Sequence, residues 1–216
     1  MLFQFDRDLM DNGILAGMDE AGRGPLAGPV VCALVVMPLG EGDVIDGVND
    51  SKKLSSKQRD TLYELIVNKA LAYSIAVVSE DVIDDINILQ ATRRGMEQCI
   101  SHCAIRPDMV LVDAVKALNT DVPYMSIIKG DAKSYSIACA SILAKVTRDR
   151  LMMDYAKLYP EYEFGRHKGY GTALHIEKLK MHGPCKIHRN SFIKNFGLSK
   201  KIDNISNNFS IKVLTK

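Results

Sequence analysis

Met18-Asp19-Glu20-Ala21-Gly22-Arg23-Gly24-Pro25-Leu26-Ala27-Gly28-Pro29-Val30 lies inside an otherwise apolar run spanning residues 14–36. Its glycines and prolines cannot continue a regular strand, so the run reads as strand, tight turn, strand. Two carboxylates, Asp19 and Glu20, stand where the first strand meets the turn. Neighbours on a regular strand point to opposite faces, so the two share one site only if the strand ends or bulges there. Gly22-Arg23-Gly24 lacks the lysine and hydroxyl of a nucleotide-binding P-loop, and Gly169-Tyr170-Gly171 lacks dinucleotide-fingerprint spacing, which argues against ATP and NAD. Ordinary turns explain either triplet in isolation. The alternative is that glycines let the backbone approach a sugar or phosphate closely, with Arg23 beside them.

Downstream, Ser55 and Gln58 have capping-box spacing ahead of a helix over residues 56–70, and a β-branched strand follows over 73–79. An amphipathic helix over 87–104 precedes a break at Pro107. Met109-Val110-Leu111-Val112 then reads as a buried strand ending in Asp113. Ligands of open α/β sheets bind beyond the carboxyl ends of strands, which gives Asp113 a favoured position. A further strand over 125–128 ends at Lys129-Gly130-Asp131, and a helix starts at Ser134 and persists toward Tyr159, where Pro160 stops it. One more helix is predicted over 172–182, closed by Gly183 and Pro184. Each carboxylate has a bland reading, since Asp131 could cap its helix, Glu20 could pair with Arg23, and Asp113 could be a turn residue. If Asp19, Glu20, Asp113 and Asp131 instead converge, their repulsion calls for hard divalent cations, and a two-metal hydrolytic site needs no nucleophilic side chain.

The chain of 216 residues, 47% of them apolar, is long enough to bury one sizeable core. Its net charge of +2 hides an asymmetry, because residues 162–200 hold eight Lys or Arg against two acidic residues. An acidic body joined to a basic end suits a polyanionic ligand, although a solvated basic face would have the same composition. The five cysteines show no CxxC pair, and Cys99 and Cys103 recur with Leu89 and Met96 at helical spacing; small core residues are the favoured reading over zinc ligands. No early stretch joins a basic start to an unbroken apolar run, so a soluble, cytoplasmic protein without membrane contact is expected.

Five segments, taken together, carry a family resemblance. They are the quoted stretch at residues 18–30, Asp50-Ser51-Lys52-Lys53-Leu54, Gly130-Asp131, the helix from Ser136 to Arg150, and His167-Lys168-Gly169-Tyr170-Gly171-Thr172. Over about residues 14–193 the chain closely resembles bacterial ribonuclease HII. The resemblance implies an α/β fold with a ribonuclease H-like mixed β-sheet flanked by helices and a basic helical C-terminal extension. Residues 1–160 would form the core and residues 161–200 the basic part of the same domain, whereas residues 201–216, Asn- and Ser-rich and weakly patterned, are expected on composition to be a flexible tail. Asp19, Glu20, Asp113 and Asp131 match the family's catalytic carboxylates, which hold two divalent ions, manganese or magnesium. Gly22, Arg23 and Gly24 match the motif that contacts the ribonucleotide's 2′-hydroxyl, and Tyr170 the tyrosine at the ribonucleotide-to-deoxyribonucleotide junction. Lys52 and Lys53 match a basic patch, and Arg166, Lys168, Lys186 and Arg189 are expected to contact phosphates.

Arg148, Asp149 and Arg150 also match, with a helix-face salt-bridge network as their reading. The chain departs from the commonest pattern at Ala114, where glycine is frequent, and at Cys139. The implied substrates are RNA-DNA hybrids and duplex DNA containing ribonucleotides, cut by a monomer whose replication partner, if any, is unknown. Rival readings are the sister family ribonuclease HIII, which handles single embedded ribonucleotides poorly, and a non-catalytic nucleic-acid-binding module. Gly22-Arg23-Gly24 argues against the first and the full set of carboxylates against the second.

Overall fold

The computed structural model describes residues 2–9, 13–40, 42–200 and 210–216. The glycine-rich stretch does separate two strands, β1 (Leu15–Ala21) and β2 (Val30–Val36), paired antiparallel at the centre of a mixed six-stranded sheet. β2 is buried along its whole length, as its unbroken Val30-Val31-Cys32-Ala33-Leu34-Val35-Val36 run requires. β3 (Ala72–Val78) pairs antiparallel with β2, while β4 (Met109–Asp113) and β5 (Tyr124–Ile127) extend the other side in parallel. Asp19 at the end of β1 and Asp113 at the end of the adjacent parallel β4 therefore emerge at the same edge of the sheet.

Helices cover both faces. α1 (Leu2–Leu9), α2 (Ser56–Lys69) and α4 (Tyr135–Leu158) lie on one, and α3 (Glu80–His102) on the other. The capping box of α2 is present as expected, with Ser55 Oγ accepting from Gln58 N and the Gln58 side chain accepting from Ser55 N. α3 begins earlier than the sequence reading, at Glu80, and Asn87 with φ 65° breaks it in two. Asn87 Oδ1 accepts from Leu89 N and Gln90 N, so it caps the long second part, whose start the periodicity did mark. Cys99 and Met96 are core as expected, but Leu89 is exposed.

α4 crosses β1 at very short range. A Cβ placed on Gly17 would stand 2.0 Å from the Ser136 carbonyl carbon, so only glycine admits the contact. Ser134 caps α4 by accepting from Ile137 N, and buried Asp6 of α1 accepts from Ser136 N. Those two caps fix the start of α4, and with it everything the helix carries toward the sheet edge.

Beyond α4 come α5 (Phe164–His167), α6 (Ala173–His182) and α7 (Asn190–Ile193), which pack near the glycine-rich loop. The expectation of a loose tail over 201–216 is corrected at its end. Ile211–Thr215 forms β6, antiparallel to β3 at the sheet edge, with Ile211 and Val213 turned toward the core side. Residues 201–209 lie outside the described residues. Among the described residues no helix is long and apolar enough to cross a membrane.

Candidate active site

Asp19, Asp113 and Asp131 each offer a carboxylate oxygen within 4.8 Å of the others. Three elements place them. Asp19 stands on the α4 side of β1, with Gly17, and Asp113 ends β4. Asp131 sits in the short 3-10 turn at Gly130–Ala132 before α4. Asp113 Oδ1 accepts from Gly130 N at 2.7 Å, which ties the last two elements together. The α4 cap is Ser134, so Asp131 is left to face the cluster.

Glu20 is not brought into this trio. The β1–β2 register is regular through Ala21, so no bulge turns Glu20 to the Asp19 face. Its Oε1 lies 3.5 Å from Arg23 Nη1, and its Oε2 is buried without a hydrogen-bond partner among the described residues. Burial, with Glu20 and Asp113 nearby, holds the Asp19 carboxyl well above the carboxylate range against hydrogen bonding from Ser141. Burial likewise pushes Glu20 up to about 7, Arg23 opposing, and raises Asp131 together with Asp50 and Asp113.

An all-oxygen donor set with raised pKa values and an orphaned buried carboxylate oxygen fits a hard divalent cation. Carboxylates bind such ions deprotonated, so ion affinity should fall as acid titrates Glu20 through about 7. Manganese titrations by calorimetry should show clearly weaker binding at about pH 6 than at about pH 8; equal affinity at both would contradict the assignment.

Beside the carboxylates, the loop at residues 22–29 is stitched to the C-terminal helices. Leu26 N donates to Gly169 O, Gly28 N to Ile187 O, and Arg189 N to Leu26 O. A Cβ on Gly24 would meet only the Tyr170 ring, at 3.9 Å, so an open strip of backbone faces an exposed aromatic ring. Gly22 has φ 98°, and a side chain there would strike Arg148 and Pro29 O.

Lys52 is exposed, with Nζ 3.6 Å from Asp131 Oδ2, and its turn is pinned to α4 by the buried Ser51–Ser141 hydroxyl pair at 2.9 Å. Lys53 and Lys186 are exposed, Arg166 pairs with Glu163, and Lys168 Nζ donates to Gly165 O. Arg189 corrects the expectation of a phosphate contact. It is fully buried and its guanidinium is spent on backbone carbonyls. Arg148 is likewise buried rather than part of a salt-bridge face, whereas Asp149 and Arg150 do form such pairs.

The family model described as Ribonuclease HII matches residues 16–195. The ribonuclease HII of Ruminiclostridium cellulolyticum is 53% identical over 90% of this chain and 76% of its own length. That of Caldicellulosiruptor bescii is 53% identical over 89% of the chain and 94% of its length. The chain belongs to the ribonuclease HII family. Among solved structures, ribonuclease H2 from Pyrococcus horikoshii superposes with a TM-score of 0.69 at 28% identity, covering 82% of this chain and 92% of that one. The expected ribonuclease H-like mixed sheet is thus the observed one, and the chain is a divalent-metal-dependent endoribonuclease of the ribonuclease H class. Ala114, where ribonuclease HII commonly has glycine, adopts φ 49°, a left-handed conformation in which a Cβ is strained.

Three histidines with no role expected from the sequence hold the Tyr170 turn. His175 Nδ1 is 2.9 Å from Tyr170 O, a pure acceptor, so this nitrogen carries the proton. Its Nε2 then accepts from His188 Nε2 at 3.1 Å, and His188 Nδ1 accepts from Cys185 N. His167 donates from Nε2 to Tyr162 O and accepts from Gly169 N at Nδ1. Every ring nitrogen is satisfied with all three rings neutral. Burial drives His175 down to about 4 and His188 to about 3. Because an unfolded histidine takes its proton near 6.5, the cluster's contribution to stability is complete above that value and is lost as pH falls toward 4. In an NMR titration the His175 and His188 rings should stay unshifted between about pH 7 and about pH 5; a midpoint near 6 for either would refute the neutral network.

Proposed function

We propose that this chain hydrolyses the phosphodiester on the 5′ side of ribonucleotides embedded in duplex DNA, and cuts the RNA strand of RNA-DNA hybrids, leaving 3′-hydroxyl and 5′-phosphate ends. The observation that carries the reading is the adjacency of the Asp19, Asp113 and Asp131 trio to an open glycine strip facing Tyr170. Asp19, Asp113 and Asp131, with Glu20 Oε2 from the flank, would hold two divalent ions, manganese or magnesium. Such ions supply Lewis acidity at the scissile phosphate.

The chain's own groups do the rest. Gly22, Arg23 and Gly24 offer backbone close enough to meet a 2′-hydroxyl, and Tyr170 stacks on the neighbouring sugar, whose missing hydroxyl lets the ring approach. Lys52 stands on the cluster's rim, and with its exposed neighbour Lys53 it would steer the phosphate chain, with Arg166, Lys168 and Lys186 along the basic end. Among the described residues no side chain is placed as a nucleophile, so water attacks phosphorus directly, and the departing 3′ oxygen leaves as a hydroxyl.

The test uses three duplexes: one ribonucleotide in DNA, a long RNA-DNA hybrid, and all DNA, each with magnesium, with manganese and with chelator. Metal-dependent cutting of the first two, mapped to the 5′ side of the ribonucleotide in the first, supports the reading. Cutting of the hybrid alone would assign the chain the narrower specificity of the sister family and defeat the proposal.

A further inference from the structure

Two of the largest fully buried side chains are arginines, Arg148 and Arg189. Among the described residues neither has a carboxylate within ion-pair distance. A buried guanidinium without a counter-ion is costly, and it persists where its five N–H donors are matched by fixed acceptors. Here the acceptors are all backbone carbonyls. Arg148 donates from Nε to Pro29 O at 3.0 Å, from Nη1 to Lys168 O at 2.9 Å, and from Nη2 to Ala27 O at 3.1 Å. Arg189 donates from Nε to Gly28 O at 2.9 Å, from Nη1 to Arg23 O at 3.0 Å, and from Nη2 to Gly22 O at 2.6 Å. Five of these carbonyls belong to the glycine-rich loop, and the sixth lies two residues before Tyr170. The Arg148 guanidinium also lies 5.8 Å from the Tyr170 ring centroid.

We propose that Arg148 and Arg189 are positioning residues for reading the sugar, because together they lock the loop backbone and Tyr170 into one rigid frame. In a trans peptide the C=O and N–H point in opposite directions. With Gly22 O and Arg23 O drawn inward by Arg189, the N–H groups of Arg23 and Gly24 are turned outward. Neither N–H has a protein acceptor among the described residues. Arg148 ties the same loop to the Lys168 carbonyl and the Tyr170 ring, which fixes the width of the slot in which a ribose would sit. Arg148 stands on α4, and Asp131 lies in the turn just before the same helix. One helix thus sets the sugar frame and the carboxylates in common register. A lysine cannot replace this fork, since an ammonium has no planar array of donors to hold three carbonyls at set angles.

The proposal rests on the reading of Gly22-Arg23-Gly24 as the sugar-contacting strip, and the test separates the two. First, wild-type protein is assayed on a duplex with one ribonucleotide and on the same duplex with that hydroxyl replaced by fluorine. Equal cutting of both would remove the sugar-reading assignment itself, and the proposal with it. Given discrimination by the wild type, Arg189→Lys and Arg148→Lys are compared with it in kcat and KM, manganese affinity, melting temperature, and the amide NMR signals of Arg23 and Gly24 in the free protein. The expected result is a fall in kcat of about 10²-fold on the single-ribonucleotide duplex, with manganese affinity and KM within a few-fold of wild type. The Arg23 and Gly24 amides should shift and broaden. A merely structural arginine would lower the melting temperature without this kcat-against-KM split. Folded Lys variants with wild-type kcat and unshifted amides would overturn the proposal. Arg148→Lys carries the same test independently, because its carbonyls differ from those of Arg189.

Discussion

Asp113→Asn is expected to lower turnover by about 10³-fold or more while leaving the fold and duplex binding intact, a loss typical of removing charge stabilisation at the reacting centre. The amide keeps an oxygen to accept from Gly130 N, so the tie between β4 and the Asp131 turn survives. What disappears is one negative charge from a trio whose oxygens lie within 4.8 Å, and with it a proposed ligand for the divalent ion. The same substitution should make the metal-free protein more stable at alkaline pH. Asp113 helps raise the pKa of Asp19, Glu20 and Asp131 above the unfolded carboxylate value, so the contribution of these carboxylates to stability is greatest in acid and is lost as pH rises through about 7 for Glu20. Removing that charge relieves about 1 kcal/mol or more of repulsion. Thermal melts in chelator and gel-based cleavage assays read the two effects separately. An inactive variant that is also destabilised without metal would point to a structural role.

Gly17→Ala should cost about 2–4 kcal/mol of stability, because overpacking by a single methyl has no flexible side chain to displace. The added Cβ would stand 2.0 Å from Ser136 C and 2.4 Å from Ile137 N, both backbone atoms in the first turn of α4. Relief requires α4 to lift from β1, and α4 carries Ser141 and Arg148 while Asp131 lies just before it. A displacement on the order of 1 Å at the site costs about 10²-fold in turnover. Denaturant melts should therefore move together with kcat in this variant, whereas Asp113→Asn separates them. A fully stable, fully active Gly17→Ala protein would contradict the close packing of α4 on β1.

Local signals carried much of the architecture. The Ser55–Gln58 capping box, the apolar strand ending at Asp113 and the Ser134 start of α4 were all readable because each is written in adjacent residues. β6 was missed because its Asn- and Ser-rich approach precedes a short strand, Ile211-Lys212-Val213-Leu214-Thr215, whose pairing with β3 is wholly non-local. Only Ile211-Lys212-Val213 alternates, since apolar Leu214 breaks the period, so the available signal was three residues long. At the site, three carboxylates could be placed from strand ends and turns, but which way Glu20 points depends on whether β1 bulges, and the register shows that it does not. Arg189 looked like a phosphate ligand because a basic residue in a basic segment carries no mark of burial. Only the carbonyls of a loop more than 160 residues away make its position intelligible. The histidines were silent because nothing in their spacing marks them as buried, although two of their acceptors are backbone carbonyls only five residues away.

A duplex identical in every atom except one 2′ oxygen tests the account most directly. With manganese or magnesium present, the protein should cut the strand on the 5′ side of that one ribonucleotide and leave the deoxy duplex intact, with a rate difference of about 10³-fold or more. Comparable cleavage of both duplexes, or a cut placed elsewhere in the ribonucleotide strand, would contradict the claim that the glycine strip and Tyr170 select the phosphate presented to Asp19, Asp113 and Asp131.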